Sequence, residues 1–204
     1  MHVTSQPAPI VLHGPGGVGK DYVVDQLTTI PRLMSVTDRA PRPDEEDGVH
    51  YYFVHEAVFQ TLIECGAFAE HAPVLGYRKG ITRRVVEQAI ASGKDFIIRT
   101  DIQGAATWRQ RLAGCVTVRL LGLDPARPVR EHREDLINRL LLRGASEEEI
   151  ANRTAELQIE YVAGDDDYTV VNPWGRSEEA VAQIHRILAF ERTNPARPAP
   201  RILP

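Results

Sequence analysis

The sequence predicts a three-layer α/β sandwich with a parallel central sheet. Short apolar runs rich in β-branched residues alternate with stretches whose apolar residues recur at helical spacing. Continuous apolar runs are typical of strands covered on both faces, and strands that alternate with helices form parallel sheets between two helical layers. The predicted strands are residues 10–13, 96–98, 116–121 and 169–171.

Helical patterns occupy the stretches between and after these strands. Thr82 is a candidate N-cap, and Ser146 followed by Glu149 is a capping-box pattern that marks the start of a helix. The other predicted helices have their apolar faces within residues 22–27, 58–63, 85–90 and 181–188. This alternation of strands and helices supports the layered arrangement.

Composition places the chain among ordinary globular proteins. Of its 204 residues, 43% are hydrophobic and 25% are charged, and 24 Lys and Arg against 28 Asp and Glu leave a net charge of −4. Mild acidity argues against a protein that coats nucleic acid, which needs a basic face. No stretch approaches the ~20 apolar residues that cross a bilayer, and residues 1–9 lack a signal-peptide pattern. We therefore expect a cytoplasmic protein with no nucleic-acid or membrane partner.

The residue composition and patterning of the chain change between residues 35 and 81. This stretch has turn residues, the aromatic run Tyr51-Tyr52-Phe53 and short strand-like pieces, which predict an insert with its own small β-structure. The insert divides the core into residues 9–34 and 82–192. Four prolines among the last ten residues predict an extended, poorly packed tail over residues 193–204.

The strongest motif is the glycine-rich turn after the first predicted strand. Residues 14–20 read Gly-Pro-Gly-Gly-Val-Gly-Lys and match the phosphate-binding loop, or P-loop. Glycines let backbone N–H groups crowd around phosphate oxygens, the next helix presents its positive dipole end, and the lysine adds a point charge. The alternative is a tight turn beside a surface lysine, but the order of strand, loop and helix favours phosphate binding. The predicted ATP-binding residues are Gly14, Gly16, Gly17, Val18, Gly19, Lys20 and Asp21.

Asp21 departs from the P-loop pattern, which usually has Ser or Thr after the lysine to ligate Mg²⁺. A carboxylate is a good oxygen ligand for Mg²⁺, yet it also repels phosphates. Two roles for Asp21 stay open: a metal ligand, directly or through water, and an acid stabilised by the helix dipole at the start of the helix.

Three further motifs follow the P-loop along the chain. They are residues 35–42 (Ser-Val-Thr-Asp-Arg-Ala-Pro-Arg), 48–54 (Gly-Val-His-Tyr-Tyr-Phe-Val) and 66–72 (Gly-Ala-Phe-Ala-Glu-His-Ala). Taken with the P-loop, they resemble the guanylate kinase family, over about residues 10–187. The resemblance implies a P-loop nucleoside monophosphate kinase fold, in which the small β-containing insert binds the acceptor and a helical lid closes on the donor.

The resemblance assigns roles to the insert. Arg39, Arg42 and Tyr51 match residues that hold the phosphate of the acceptor, guanosine monophosphate (GMP). Ser35 and Glu70 match residues that read the guanine base, and a glutamate suits guanine because it accepts hydrogen bonds from the N1 and N2 donors. Taken singly, the arginines could belong to a solvated loop paired with acids, and the tyrosine could pack in the core. The order of the motifs favours acceptor binding.

The acceptor site also departs from the family's pattern. Lys79 stands where a phosphate-binding tyrosine is expected, and Ile81 replaces a Ser or Thr that helps to read the base. Arg99 replaces the first acid of an Asp-x-Asp pattern. Asp101 is retained, either to meet the base or the waters of a metal, or as a turn residue at the end of a strand. These changes bear on guanine selectivity more than on phosphoryl transfer.

A second set of arginines resembles the family's lid, about residues 139–156. The resemblance implies that Arg139, Arg143 and Arg153 close on the triphosphate and stabilise the transferring phosphoryl group. We expect Arg139 and Arg143 on one helix face, where salt bridges to neighbouring acids are the alternative role. Asn172 matches a family asparagine near the adenine pocket, and its alternative is a turn residue before a proline.

The leading functional hypothesis is an ATP- and Mg²⁺-dependent kinase that converts GMP to GDP, as a monomer or homodimer. Lys20 and the three lid arginines would carry catalysis, because such transfer needs positioning and charge neutralisation rather than a protein nucleophile. A second hypothesis keeps the chemistry and changes the acceptor, as in the ribose 1,5-bisphosphate phosphokinases, which are similar in having Gly-Lys-Asp in the P-loop. A third is a guanylate-kinase-like interaction module without catalysis.

Overall fold

The structure is a computed structural model that describes residues 6–42, 45–74, 76–160 and 165–203. Its central sheet consists of β1 (Ile10–His13), β6 (Ile97–Arg99), β8 (Val116–Leu121) and β9 (Tyr168–Val171). The order across the sheet is β6–β1–β8–β9, and each neighbouring pair is parallel. The predicted strands are confirmed, with β6 beginning one residue later and β9 one residue earlier than expected.

Helices cover both faces of this sheet. In the described ranges they are α1 (Lys20–Gln26), α2 (Glu56–Glu64), α3 (Arg83–Ala91), α4 (Ile102–Arg111), α5 (Val129–Leu142), α6 (Glu147–Glu160) and α7 (Ser177–Glu191). Ile10 and Leu12 pack with α1 and α7, whereas Val11 and Ile98 pack with α3 and α4. The three-layer α/β sandwich is therefore confirmed. None of these helices is long and apolar enough to cross a bilayer.

A second sheet forms within the insert. It contains β2 (Val36–Thr37), β3 (Tyr52–Phe53), β4 (Phe68–Val74) and β5 (Tyr77–Thr82), in the order β3–β2–β5–β4. β5 is antiparallel to both of its neighbours. The rings of Phe59 on α2 and Phe68 stack with centroids 4.7 Å apart and give the insert its own small core. The sequence-based expectation of separate β-structure in this stretch holds.

Two predicted helix starts are also confirmed. Thr82 is the N-cap residue of α3, although its side chain makes no capping hydrogen bond. Ser146 directly precedes α6, and its hydroxyl accepts a hydrogen bond from the backbone N–H of Glu149 at 3.2 Å. This contact is half of the capping box that the pattern predicts.

The carboxyl-terminal tail is packed, and the prediction of a poorly packed segment is wrong for residues 193–203. Residue 204 lies outside the described residues. β10 (Arg201–Ile202) pairs antiparallel with β7 (Leu112–Ala113), and Ile202 packs against the core. The buried guanidinium of Arg197 donates to the main-chain oxygens of Gln6, Pro7, Gly114 and Glu191, at 2.8–3.2 Å. The prolines prevent the tail from forming a helix. The tail is held in place instead by the Arg197 guanidinium, whose N–H groups donate to carbonyl oxygens.

Arg197→Met should lower the free energy of unfolding by about 2–4 kcal/mol, because it removes the buried guanidinium that pairs with four main-chain carbonyls and with the Glu191 carboxylate. Equilibrium urea unfolding measures the loss. The matched control is Arg201→Met on the same tail, where the side chain is exposed and the change should stay within about 0.5 kcal/mol. Equal effects of the two variants would contradict the role of the buried guanidinium.

Candidate active site

The glycine loop joins β1 to α1 at the carboxyl edge of the central sheet. Gly14 has a φ of 141°, and a Cβ at this position would lie 2.1 Å from the main-chain oxygen of Leu120. Gly19 has a φ of 91° and is the N-cap of α1, where a Cβ would lie 2.7 Å from Nδ2 of Asn172. Both positions therefore require glycine, as the P-loop pattern predicts.

Two of the predicted ATP-binding residues make hydrogen bonds to the loop itself. The Lys20 ammonium donates to the main-chain oxygens of Gly14 and Pro15, the latter at 2.9 Å. Asn172 is buried and donates from Nδ2 to the main-chain oxygen of Val18 at 2.8 Å. Asn172 thus braces the loop from its buried side, while a contact of this residue with adenine stays a prediction.

The helices α5 and α6 pack against each other beside the loop, at the position predicted for the lid. A Cβ at Gly16 would lie 2.8 Å from Cδ and Nη1 of Arg153, so this guanidinium lies directly on the P-loop. Gly17 is in similarly close contact with Leu136 and Leu140 of α5. The guanidinium of Arg153 therefore contacts a predicted donor residue.

Arg139 is anchored below the loop. It is 5% exposed, and its Nε donates to the Asp135 carboxylate at 2.7 Å. Its Nη2 donates to the main-chain oxygen of Asn172 at 3.0 Å, and its guanidinium lies 5.4 Å from the ring centroid of Trp174. Arg139 therefore ties α5 to the end of β9.

The expectation that Arg139 and Arg143 share one face of a helix is wrong, because α5 ends at Leu142. Arg143 is the C-cap residue, is exposed and forms an ion pair with Glu149 of α6. Arg143 therefore has the alternative role that the sequence leaves open for these arginines, a salt bridge to a neighbouring acid. Its contact with a triphosphate stays a prediction.

The predicted acceptor-phosphate residues lie around Glu45. Nη2 of Arg39 donates to both oxygens of the Glu45 carboxylate at 2.7 Å, and Nη1 of Arg42 lies 3.9 Å from the same carboxylate. The guanidinium of Arg39 is also 5.8 Å from the centroid of the buried Tyr51 ring. Burial alone would raise the pKa of Glu45, but these arginines and a backbone N–H outweigh it and lower that pKa. The two arginines can therefore hold one oxyanion between them.

The predicted base-reading residues lie on and beside β4. Glu70 is opposite Ile81 in the pairing of β4 with β5, and Ile81 is buried. Burial raises the pKa of Glu70 to about 7, with a further contribution from the charge of Asp101 and an opposing one from Arg111. Asp101 is the N-cap of α4, and its carboxylate accepts a hydrogen bond from the Gly104 N–H at 2.8 Å. The main-chain oxygen of Ser35 accepts from Tyr52 at 2.9 Å and so holds Ser35 next to β3.

Two residues that depart from the family's pattern, Lys79 and Arg99, converge on Tyr51. Lys79 donates to its hydroxyl at 3.3 Å, and Nη2 of Arg99 donates to the same oxygen. Nη1 of Arg99 donates to Asp21, which also lies 3.9 Å from Arg32. Burial alone would raise the pKa of the Tyr51 hydroxyl, but the charges of Arg99 and Lys79 lower it below its usual range. The start of α1 and the predicted acceptor residue Tyr51 thus lie on opposite sides of one guanidinium.

The model of the guanylate kinase family matches residues 6–191 of the chain. The chain belongs to the guanylate kinase family. Guanylate kinase 2, chloroplastic/mitochondrial, of Oryza sativa subsp. japonica is 36% identical over 92% of the chain, which spans 65% of that relative's length. Guanylate kinase of Alkalilimnicola ehrlichii is 37% identical over 79% of each chain.

A solved structure agrees with this assignment. The crystal structure of guanylate kinase from Anaplasma phagocytophilum superposes with a TM-score of 0.71 at 26% identity, over 95% of this chain and 90% of that one. The central parallel sheet with helices on both faces is therefore the guanylate kinase fold.

Sequence reasoning missed an ion pair beside the predicted acceptor residues of this guanylate kinase family member. Nε of Arg78 donates to Asp38 at 2.6 Å, and the backbone N–H of Arg78 donates to the same carboxylate. Because β2 and β5 are antiparallel, with Thr37 opposite Lys79, residues 40 positions apart become neighbours. No local spacing could reveal that pairing. It fixes the strand that carries Lys79 against the loop that carries Arg39.

It also missed a buried polar cluster that adjoins the P-loop. His13, directly before Gly14, lies with Nε2 2.7 Å from Oδ1 of Asp166, and Asp166 lies 3.5 Å from both Arg109 and Arg119. Burial would raise the pKa of Asp166, but these three partners lower it. A signal existed in β8, where Thr117 and Arg119 alternate with valines and so place polar side chains on one face of the sheet.

The titration of Glu70 tests the electrostatic coupling between Glu70 and Asp101, the two predicted base-binding carboxylates. Its carboxyl group should titrate with a pKa of about 7. Asp101→Asn should lower that pKa because it removes a neighbouring negative charge, and Arg111→Met should raise it because it removes a positive one. Carbon-13 NMR of the glutamate side-chain carboxyls measures the shifts, with the exposed Glu56 as the internal control. An unshifted Glu70 in the Asp101→Asn variant would contradict the coupling.

Proposed function

We propose that this protein transfers the γ-phosphoryl group of ATP to the phosphate of GMP, with GDP and ADP as products. The observation that carries the proposal is the contact of Arg99 with both Asp21 and Tyr51. Asp21 directly follows the P-loop lysine, and Tyr51 belongs to the acceptor set. The predicted donor and acceptor residues are therefore adjacent, as transfer between two bound phosphates requires.

On the donor side, the loop residues supply backbone N–H groups and Lys20 supplies a cation. In the proposed complex, Lys20 exchanges its two carbonyl acceptors for the β- and γ-phosphate oxygens of ATP. Arg153, which lies on Gly16, adds a second cation over the same phosphates. Lid residues that pack on the loop also exclude water, which suppresses hydrolysis of ATP.

On the acceptor side, Arg39, Arg42 and Tyr51 would bind the phosphate of GMP in the place that the Glu45 carboxylate occupies between the arginines. Glu70 and Asp101 would accept hydrogen bonds from the N1 and N2 donors of guanine. Guanine binding requires Glu70 to be ionised, because only the carboxylate accepts both hydrogen bonds. Bound guanine would therefore favour the ionised form of Glu70, whose pKa is raised to about 7 in the free protein.

The family resemblance implies Mg²⁺, for which Asp21 is the candidate ligand. The Asp21 carboxylate is ion-paired with Arg99 and lies 3.9 Å from Arg32. Among the residues that the structure describes, no three His, Cys, Asp or Glu side chains are grouped to hold a metal ion. A carboxylate already engaged by guanidinium groups is a poor metal ligand, so Asp21 does not fit this role. Mg²⁺ therefore enters the proposal as part of the ATP substrate, and no step is assigned to a metal on the protein.

A panel of acceptors tests the proposal against the two other hypotheses. Purified protein supplied with Mg²⁺ and ATP should release ADP with GMP and more slowly with AMP, CMP or ribose 1,5-bisphosphate. ADP release only with the sugar bisphosphate would favour the second hypothesis. Failure to bind ATP in a calorimetric titration would favour a non-catalytic module. A cytoplasmic location and a monomeric or homodimeric state remain predictions from the sequence.

Lys20→Met should lower kcat by about 10²–10³-fold, because it removes a cation from the site where charge develops during transfer. Coupled measurement of ADP release tests this. Lys94→Met is the matched control, since Lys94 is exposed at the amino end of the β6 strand, and it should retain full activity. Similar kcat values for the two variants would exclude a catalytic P-loop.

The pH dependence of GMP use should follow Glu70. Between pH 6 and 8 the ionised fraction of a group with a pKa of about 7 rises about tenfold, so kcat/KM for GMP should rise with pH over that interval. Glu70→Gln should lower kcat/KM for GMP and flatten this rise, while KM for ATP is preserved. An unaltered pH profile in that variant would remove Glu70 from guanine recognition.

A further inference from the structure

Arg99 lies at the carboxyl edge of the central sheet, beside the start of the P-loop. It is the last residue of β6 and is paired in register with Leu12 of β1, two residues before Gly14. Its side chain is 17% exposed. The guanidinium is therefore largely enclosed, and its position is set by the pairing of two sheet strands rather than by a mobile loop.

The two terminal nitrogens of Arg99 contact different parts of the site. Nη1 donates to the carboxylate of Asp21, and Nη2 donates to the hydroxyl of Tyr51. A guanidinium is planar and carries five N–H donors, so it can hold both groups along its edges and still present donors to phosphate oxygens. One side chain thus spans the gap between the end of the P-loop and the acceptor residues.

The charges around this guanidinium favour an anion. Lys79 lies 3.3 Å from the Tyr51 hydroxyl, and the guanidiniums of Arg99 and Arg39 lie 5.5 and 5.8 Å from the centroid of the same ring. Two carboxylates act on this guanidinium: Asp21, whose side chain is 63% exposed, and Asp25. Phosphate oxygens that approach from the donor and acceptor sides therefore meet cations on this wall of the site.

Asp21 and Arg99 both differ in charge from the residues that the family pattern places at these positions. The pattern has a neutral Ser or Thr at position 21 and an acid at position 99, whereas this chain has an acid at 21 and a cation at 99. The two are ion-paired, so the charge that each introduces is matched by the other. An acid at position 21 by itself would repel the donor phosphates, and Arg99 removes that penalty.

We propose that Arg99 is a catalytic residue that bridges the γ-phosphate of the donor and the phosphate of the acceptor, and that Asp21 and Tyr51 are positioning residues for its guanidinium. This inference rests on the proposed function. In the transfer, an acceptor phosphate oxygen forms a bond to the γ-phosphorus while the bond from that phosphorus to the β–γ bridging oxygen breaks, and the electron pair leaves with ADP. Arg99 keeps its proton and offsets the negative charge that the two phosphates bring together.

Arg99→Met should lower kcat by about 10²-fold, while the dissociation constants of ATP and of GMP, each measured alone by calorimetry, change by less than about fivefold. Arg99→Lys should recover only part of kcat, because an ammonium cannot bridge two phosphates along a planar edge. Arg186→Met on α7 is the exposed control and should retain wild-type values.

Binding of a bisubstrate analogue, in which adenosine and guanosine are joined through five phosphates, gives a readout that a purely structural role would not move. Arg99→Met should weaken this analogue at least about tenfold more than it weakens ATP, because only the analogue places phosphates on both sides of the guanidinium. The inference would be overturned if Arg99→Met weakened the analogue, ATP and GMP equally, or if its kcat stayed within threefold of the wild-type value. Failure of the wild-type protein to bind the analogue would also overturn it. Tight binding of the analogue by wild-type protein that makes no GDP would instead overturn the proposed function.

The role of Asp21 is tested through a double-mutant cycle. If Asp21 acts by positioning Arg99, Asp21→Asn should lower kcat by about 3–10-fold in the wild-type background. It should cause no loss of kcat in the Arg99→Met background, where it removes an unpaired acid that repels the donor phosphates. The effects on kcat and KM distinguish positioning of Arg99 from direct binding of ATP by Asp21. If Asp21 positions Arg99, Asp21→Asn should lower kcat and leave KM for ATP unchanged. Additive effects of the two substitutions would show that Asp21 does not act through Arg99.

Discussion

The parallel pairing of β1 with β6 on one side and β8 on the other is the constraint on which the site depends. Carboxyl ends of parallel strands meet at one edge of a sheet, and ligands of open α/β sheets bind at that edge. Here the pairing brings the first residue of the P-loop, the guanidinium of Arg99 and the main-chain oxygen of Leu120 to one place. The close approach of Leu120 is also what requires glycine at position 14.

Cations in this site are held in position by neighbouring groups of the protein. Arg39 is bound by Glu45, Lys20 by loop carbonyls and Arg99 by Asp21. These partners fix the positions of long side chains and so reduce the entropy that phosphate binding must overcome. Two of these partners, Glu45 and Asp21, are carboxylates, and their charge imitates the charge of the ligand. The site is therefore preorganised for anions.

Much of the fold could be predicted because local patterns and the tertiary structure agree. The apolar run of residues 10–13 is buried on both faces and became a central strand, and the Ser146 cap formed where the pattern placed it. The P-loop is also a local feature, since its glycines and lysine are consecutive. The packing of the carboxyl-terminal tail was mispredicted because prolines show only that a segment cannot form a helix, and not whether it packs against the rest of the protein. Its packing depends on the Arg197 guanidinium and carbonyls of residues that are distant in sequence, including Pro7 and Gly114.

By itself, the sequence determined the layered α/β class, the P-loop and, through the order of its motifs, the guanylate kinase resemblance. It also marked Asp21, Lys79 and Arg99 as departures from the family's pattern, but it treated them as separate substitutions. Only the tertiary structure decided that Asp21 and Arg99 form one ion pair, with Tyr51 on its other side. The physical reason is that an ion pair is set by distance in space, and here 78 positions of chain separate two residues that the sheet makes adjacent.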